Sequence, residues 1–258
     1  MAKYLELTIE GHTANIKLTR SDVRNALNQE MINDMIQVID QCDKNQSIRS
    51  VILSSVGDSF CAGADLNWMK KSIHFTSDEN QADAKQLALL LHTLNTLNKP
   101  TICLVQGPAI GGGVGLAVCC DMIIASPEAL FCFSEVKLGL IPAIIAPYCI
   151  QALGFRVARR YFMSAEIIHA EKALSLHLVD EIVPRTTLLE QGFSLAEKIN
   201  KNAPEAVAAI KKLCRFADFS ETIHDVTIEA IARIRVGTEA QEGMAAFFEK
   251  RSPKWQEE

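Results

Sequence analysis

Three short segments hold residue types that could do chemistry, and each has a plainer reading beside it. Ser59-Phe-Cys-Ala-Gly-Ala-Asp-Leu66 clusters small residues around Gly63. Small residues let a ligand approach the main chain and leave backbone N–H groups free to donate; the plainer reading is a tight turn packed on the next helix. Gly111-Gly-Gly-Val-Gly-Leu-Ala-Val-Cys-Cys-Asp121 follows a strand pattern and opens an apolar helix. Glycines at a helix start expose N–H groups suited to an anion, although they serve close helix–strand packing equally well. The spacing is not G-x-G-x-x-G, and no Lys-Ser/Thr follows as in a P-loop, so dinucleotide and nucleoside triphosphate phosphates fit poorly. Phe133-Ser-Glu-Val-Lys-Leu-Gly-Leu-Ile-Pro142 sets one carboxylate, Glu135, in apolar surroundings. Such a setting raises a carboxyl pKa and suits it to general acid–base work; the alternatives are a surface glutamate or an ion pair with Lys137.

These segments need strands and helices to hold them. Tyr4–Ile9 and Ala14–Leu18 alternate around Gly11 as a hairpin does. Residues Asn28–Cys42 carry Met31, Ile32, Met35, Ile36, Val38 and Ile39 at helical spacing. Val51–Leu53 reads as a buried strand. Thr76-Ser-Asp-Glu79 is a capping-box pattern that opens a helix with Leu87, Leu90, Leu91, Leu94 and Leu97 on one face, closed by Pro100. Thr101–Val105 and Met122–Ala125 are further strands. Helix signals dominate from about residue 145, and residues 203–248 read as alanine-rich helices of mixed charge. The organisation expected is a strand-and-helix core over residues 1–200 followed by a helical piece over 201–258.

The chain has 258 residues, is 48% hydrophobic and 22% charged, and carries a net charge of −5. That is material for one large domain, without the basic stripe that nucleic acid needs. The most apolar stretch, near Leu138–Leu153, is broken by Pro142 and Pro147 and is too short to span a bilayer. Met1–Glu6 has no signal- or transit-peptide pattern, so a cytoplasmic protein without a membrane partner is expected. Eight cysteines form no C-x-x-C pair and sit mostly in apolar runs. They read as reduced small hydrophobes rather than disulfides or metal ligands.

Taken together, Phe60-Cys-Ala-Gly-Ala-Asp-Leu66, Lys99-Pro-Thr101, Gly107, Gly111-Gly-Gly113, Cys120-Asp121 and Glu135 with Leu138-Gly-Leu-Ile-Pro142 resemble the crotonase (enoyl-CoA hydratase/isomerase) signature in order and spacing. Arg24-Asn-Ala-Leu-Asn28 and Phe248-Glu-Lys-Arg-Ser-Pro253 match as well, so the resemblance spans the chain. It implies an α/β fold, a spiral of ββα units with a C-terminal helical oligomerisation region, assembled as a homotrimer or a dimer of trimers. It implies an acyl-CoA thioester substrate, no metal, and no cofactor beyond the coenzyme A carried by that substrate. By position, the Ala64 and Gly112 N–H groups would form an oxyanion hole, with Glu135 as the catalytic carboxylate. Main-chain carbonyls around Ala62, Ala64 and Leu66, in a segment that includes Asp65, would meet the adenine. Arg24, Lys250 and Arg251 would meet phosphates, the last two from a neighbouring subunit.

One departure matters. Hydratases of the family carry a first glutamate where this chain has Gly115, and a glycine-rich turn where it has Ala143-Ile-Ile-Ala-Pro147. A two-carboxylate clamp on water is therefore unavailable, as in the family's 3-enoyl to 2-enoyl isomerases. The strings Asp65-Leu-Asn-Trp-Met69, Ser134-Glu-Val-Lys-Leu-Gly-Leu-Ile-Pro-Ala143 and Ala158-Arg-Arg-Tyr-Phe162 resemble instead bacterial methylglutaconyl-CoA hydratases of leucine/isovalerate and acyclic terpene degradation. Hydration of 3-methylglutaconyl-CoA is thus expected, with isomerisation as the alternative and a non-catalytic acyl-CoA binder behind it. With one glutamate, water would be oriented by the substrate's distal carboxylate, or by a hydroxyl such as Ser134 or Tyr148.

Overall fold

The computed structural model describes residues 3–215 and 222–256. Residues 216–221, inside the stretch read as helical, lie outside the described residues. In chain order the elements are β1 (Leu5–Glu10), β2 (Thr13–Leu18), α1 (Gln29–Lys44), β3 (Ser50–Ser55), α2 (Leu66–Ser72), α3 (Ser77–Thr96) and β4 (Thr101–Val105). They continue with β5 (Pro108–Ile110), α4 (Gly112–Val118), β6 (Met122–Ala125), β7 (Leu130–Cys132), α5 (Ala146–Leu153) and α6 (Phe155–Ser164). The remainder is β8 (Ile168–His169), α7 (Ala170–Ser175), β9 (Glu181–Ile182), α8 (Leu188–Asn200), α9 (Pro204–Arg215), α10 (Thr222–Val236) and α11 (Thr238–Glu249).

Local sequence explains the longer elements. The Asn28 side chain accepts from the Met31 N–H at 2.9 Å and starts α1, whose buried face is Met31, Ile32, Met35, Val38, Ile39 and Cys42. Thr76 and Glu79 make both halves of the capping box that starts α3. In β3 and β4 neighbouring side chains serve opposite faces. Val51, Leu53, Cys103 and Val105 pack with α1 and α3, whereas Ile52, Ile102 and Leu104 pack with Leu188 and Ala196 of α8. A parallel sheet covered on both faces reads as a continuous apolar run, which is why these two strands were legible.

Six strands form one sheet in the order β1-β2-β3-β4-β6-β9, parallel except for the β1/β2 hairpin. A second sheet, β5-β7-β8, stands beside it. Successive turns of chain feed one strand to each sheet and then a helix or 3-10 turn: β4, β5, α4, then β6, β7 and the turn Glu135–Leu138. The β3 turn does the same, with Cys61 bridging to Ala109 at the edge of the small sheet before α2. This is the spiral of ββα units expected. It brings Ala62–Asp65, Gly111–Gly113 and Ser134–Glu135 to the same end of three consecutive turns.

The short strands β5, β7, β8 and β9 were not anticipated. Two or three residues carry no period, and they are strands only because distant segments pair with them. Of the eight cysteines, seven are buried and none is in a disulfide; burial pushes the Cys61 thiol up to about 12, so it packs as a neutral small group.

Beyond α8, the helix α9 is tied to the sheet by a partly buried ion pair. Lys211 Nζ lies 2.7 Å from Asp121 Oδ2 and donates to the Lys99 carbonyl at 3.1 Å. The same Asp121 oxygen accepts from the Thr101 N–H and hydroxyl at 2.7 and 2.9 Å. Removing one partner strands a partly buried charge. Lys211→Met is therefore expected to cost about 1–3 kcal/mol, discounted for the partial exposure of Asp121, seen as a lower urea midpoint; an unchanged midpoint would show the pair to be idle.

Candidate active site

The site begins with two backbones in contact. The Phe60 and Cys61 N–H groups donate to the Pro108 carbonyl at 3.0 and 3.2 Å, and the Ile110 N–H donates to the Cys61 carbonyl at 2.9 Å. A Cβ on Gly63, whose φ is +83°, would lie 2.7 Å from the Ile110 oxygen, and one on Gly113 would lie 2.3 Å from the Cys61 oxygen. No other residue allows this approach. On the opposite side, Leu27 donates to the Gly63 carbonyl at 2.7 Å and accepts from the Asp65 N–H at 2.9 Å. Ala64 is held between these bonds. Its own N–H, and that of Gly112 in the first turn of α4, has no partner among the described residues.

Asp65 has a different task. Its carboxylate caps α2 through the Asn67 and Trp68 N–H groups at 2.8 and 3.2 Å and pairs with Arg20 at 2.9 Å, both side chains being largely buried. Burial would raise its pKa, but the Arg20 hydrogen bond and the two backbone donors outweigh it and hold the carboxyl below its usual range. Asp65 therefore shapes the loop, and its side chain is not free for a ligand.

Glu135 opens the 3-10 turn after β7, held by the Leu140 N–H on its carbonyl at 3.0 Å. Its Oε1 lies 2.9 Å from where a Cβ of Gly111 would stand, so the carboxylate lies against the glycine turn. Its Oε2 is buried and has no hydrogen-bond partner among the described residues. Burial raises its pKa above the ordinary glutamate value. Lys137 is exposed, and no ion pair joins it to Glu135 among the described residues, so the ion-pair reading of this glutamate fails.

Ala62, Ala64, Leu66, Gly112 and Glu135 all line one cleft of about 540 Å³. Its other walls are mostly apolar, from Leu27, Met69, Leu87, Leu138, Ile141 and Ile145. Arg24, Lys250 and Arg251 are not among its lining residues. Arg24 is exposed and accepts the Ala62 N–H on its carbonyl at 2.9 Å, which puts it beside the loop. Arg251 is engaged locally by Glu242 at 2.5 Å and Glu249 at 2.7 Å, and the arginine holds Glu242 down at about 2. Lys250 is exposed at the end of α11.

Gly115 is buried in α4, and a Cβ there would stand 2.3 Å from Ile145 Cγ2. Ile145 thus fills the volume of any side chain at 115, and a glutamate enters only if Ile145 is removed with it. Tyr148 lines another cavity, with Asp121 and Lys211, whereas Ser134 lines the cleft; of the two hydroxyls, only Ser134 is placed to meet a ligand there. Sequence reasoning missed Asn80 and Asp83 in the cleft wall. The signal was available: Asp83 precedes Leu87 by one helical turn and shares the stripe that continues to Leu91 and Leu94.

The raised pKa of Glu135 has a stability consequence. A carboxyl that binds its proton more tightly folded than unfolded stabilises the fold below the ordinary carboxyl range, and that contribution is lost as pH rises through the folded pKa. Glu135→Gln is therefore expected to raise the melting temperature relative to the parent at about pH 8, with the gain vanishing near pH 4, where the glutamate is protonated. An equal gap at both pH values would contradict an unpaired buried carboxylate.

Residues 8–258 match the enoyl-CoA hydratase/isomerase family. A short-chain-enoyl-CoA hydratase of Clostridium acetobutylicum is 32% identical over 250 residues, covering 94% of this chain and 93% of that protein. An enoyl-CoA hydratase of Mycobacterium tuberculosis is 33% identical over 251 residues, covering 95% and 94%. The crystal structure of an enoyl-CoA hydratase from Shewanella pealeana superposes with a TM-score of 0.95 at 44% identity, over 98% of this chain and 96% of that one. With the spiral fold and the convergence of its three loops on one cleft, this shows that the chain belongs to the crotonase, or enoyl-CoA hydratase/isomerase, family.

Proposed function

We propose that this member hydrates a 2-enoyl-CoA thioester, with Glu135 as its acid–base group and the Ala64 and Gly112 N–H groups as an oxyanion hole. The observation that carries the reading is a half-buried carboxylate, one of whose oxygens has no partner among the described residues, on the same cleft as two backbone donors that likewise have none there. Glu135 takes a proton from water as its oxygen bonds to C3. The electron pair of the C2–C3 double bond moves to the thioester oxygen, where the two N–H groups stabilise the enolate. The enolate then collapses, and the Glu135 carboxylic acid returns a proton to C2, giving syn addition through one group. Coenzyme A remains on the substrate throughout, and the steps call for no metal or further cofactor.

The finer reading, 3-methylglutaconyl-CoA to 3-hydroxy-3-methylglutaryl-CoA, is supported by the cleft positions of Trp68, Met69, Ser134, Pro142 and Ala143, which belong to the strings that resemble such hydratases. A second reading, transfer of a proton from C2 to C4 in a 3-enoyl-CoA, is favoured by glycine rather than glutamate at position 115 and by the apolar Ile145 covering it. Arg24 would meet the nucleotide phosphates of coenzyme A at the loop, and Lys250 or Arg251 those of a neighbouring subunit. The division into a 1–200 core and a 201–258 oligomerisation region is supported by the exposed Ile228, Ile231, Val236, Phe247 and Phe248 of α10 and α11, a surface suited to further copies of the chain.

Glu135→Gln is expected to lower turnover by about 10²–10⁴-fold, the usual loss for an acid–base group, with coenzyme A ester binding retained. Product analysis with crotonyl-CoA, 3-methylglutaconyl-CoA and a 3-enoyl-CoA separates hydration from isomerisation, and near-normal turnover in the folded variant removes Glu135 from the chemistry. Light scattering is expected to give the mass of a trimer or hexamer; a monomer at micromolar concentration would overturn the assembly and the shared phosphate site together.

A further inference from the structure

One wall of the cleft is built by α2 and α3, and its free polar groups are all of one kind. Trp68 donates its indole N–H to Asp83 Oδ2 at 3.1 Å, and its ring is steadied edge-on by Phe75, with centroids 5.7 Å apart. The other Asp83 oxygen has no hydrogen-bond partner among the described residues. Asn80 spends its amide N–H groups on the Phe75 and Thr76 carbonyls at 3.2 and 3.1 Å, which leaves it acceptor capacity alone. No lysine, arginine or histidine is among the described residues that line the cleft, and Glu135 is its second carboxylate.

An acyl group ending in a carboxylate would need a cation or several donors there, and would meet a fixed negative charge instead. Like charges brought together in a partly desolvated cleft are strongly disfavoured, and rejection built from such a contact is a common source of specificity. The geometry points to Asp83, oriented by Trp68, as a specificity-determining residue that selects acyl groups with a neutral far end and excludes those with a terminal carboxylate. This rests on the thioester occupying the cleft as proposed above. It stands against the 3-methylglutaconyl-CoA reading drawn from the strings around Trp68 and Ser134, and against the substrate's own carboxylate as the group that orients water; glutaryl-CoA binding in the parent decides between the two.

Binding tests this without depending on turnover. Isothermal titration compares glutaryl-CoA with its terminal-amide analogue and with pentanoyl-CoA, in the parent and in Asp83→Asn. Asparagine keeps an oxygen for the Trp68 N–H, and unchanged tryptophan fluorescence verifies that the ring has not moved. In the parent, the amide and the pentanoyl ester are expected to bind at least about tenfold more tightly than glutaryl-CoA; in Asp83→Asn the amide-to-acid ratio shrinks severalfold. Glutaryl-CoA binding as tightly as its amide in the parent, or a ratio unmoved by Asp83→Asn, overturns the inference. If no ester binds, the coenzyme A thioester reading itself falls and takes this inference with it. If the neutral esters bind and are not turned over, only the reaction assignment fails.

Discussion

The site depends on one close approach: the Cys61 peptide lies in hydrogen-bond contact with Pro108 and Ile110, with no side chain between the two loops. Gly63 and Gly113 are the residues that permit it, each facing a carbonyl of the opposite loop at a distance no Cβ could tolerate. Because those bonds and the Leu27 bridge use the neighbouring carbonyls and N–H groups, the Ala64 and Gly112 donors are left over. They are positioned by rigid main chain rather than by side-chain rotamers, which is the arrangement a developing oxyanion needs. The whole spiral serves this contact, since each turn adds a strand to the large sheet and delivers its loop to the same end.

Around that frame the polar groups divide by cost. Asp65 and Arg20 are buried but fully engaged, and they fix the loop. Asp121 likewise joins Thr101 to Lys211 and so ties a C-terminal helix to the central sheet. Glu135 is held against Gly111 with one buried oxygen that, like one oxygen of Asn25 and of Asn200, has no partner among the described residues. Of these three side chains only the glutamate is ionisable. Its arrangement opposes stability and is the kind found where a group exchanges protons with a ligand.

The space beside Gly115 is filled rather than left vacant. Ile145 occupies that volume, so the glycine at 115 and the isoleucine at 145 fit each other. Whatever orients a water molecule must then come from the substrate, from Ser134 or from main chain. The wall at Asn80 and Asp83, whose free polar groups are acceptors, lines the same cleft.

By itself the sequence determined the elements whose signals are local. These are the capped helices α1 and α3, the doubly covered strands β3, β4 and β6, the small-residue loops, and the apolar setting of Glu135. Its motifs, through their order and spacing, also determined the family. Tertiary structure alone decided what those loops face. The strand pairs of β5, β7, β8 and β9 arise from segments far apart in the chain and have no period to read. Asp65, placed by its motif in the binding segment, turned out to be committed to Arg20 and a helix cap. Tyr148 belongs to a different cavity, and Asp83 became part of the cleft because α3 packs with that face inward. Spacing along a chain records which residues share a strand or helix face. Which face meets which ligand is decided by packing between elements, and no local pattern carries that information.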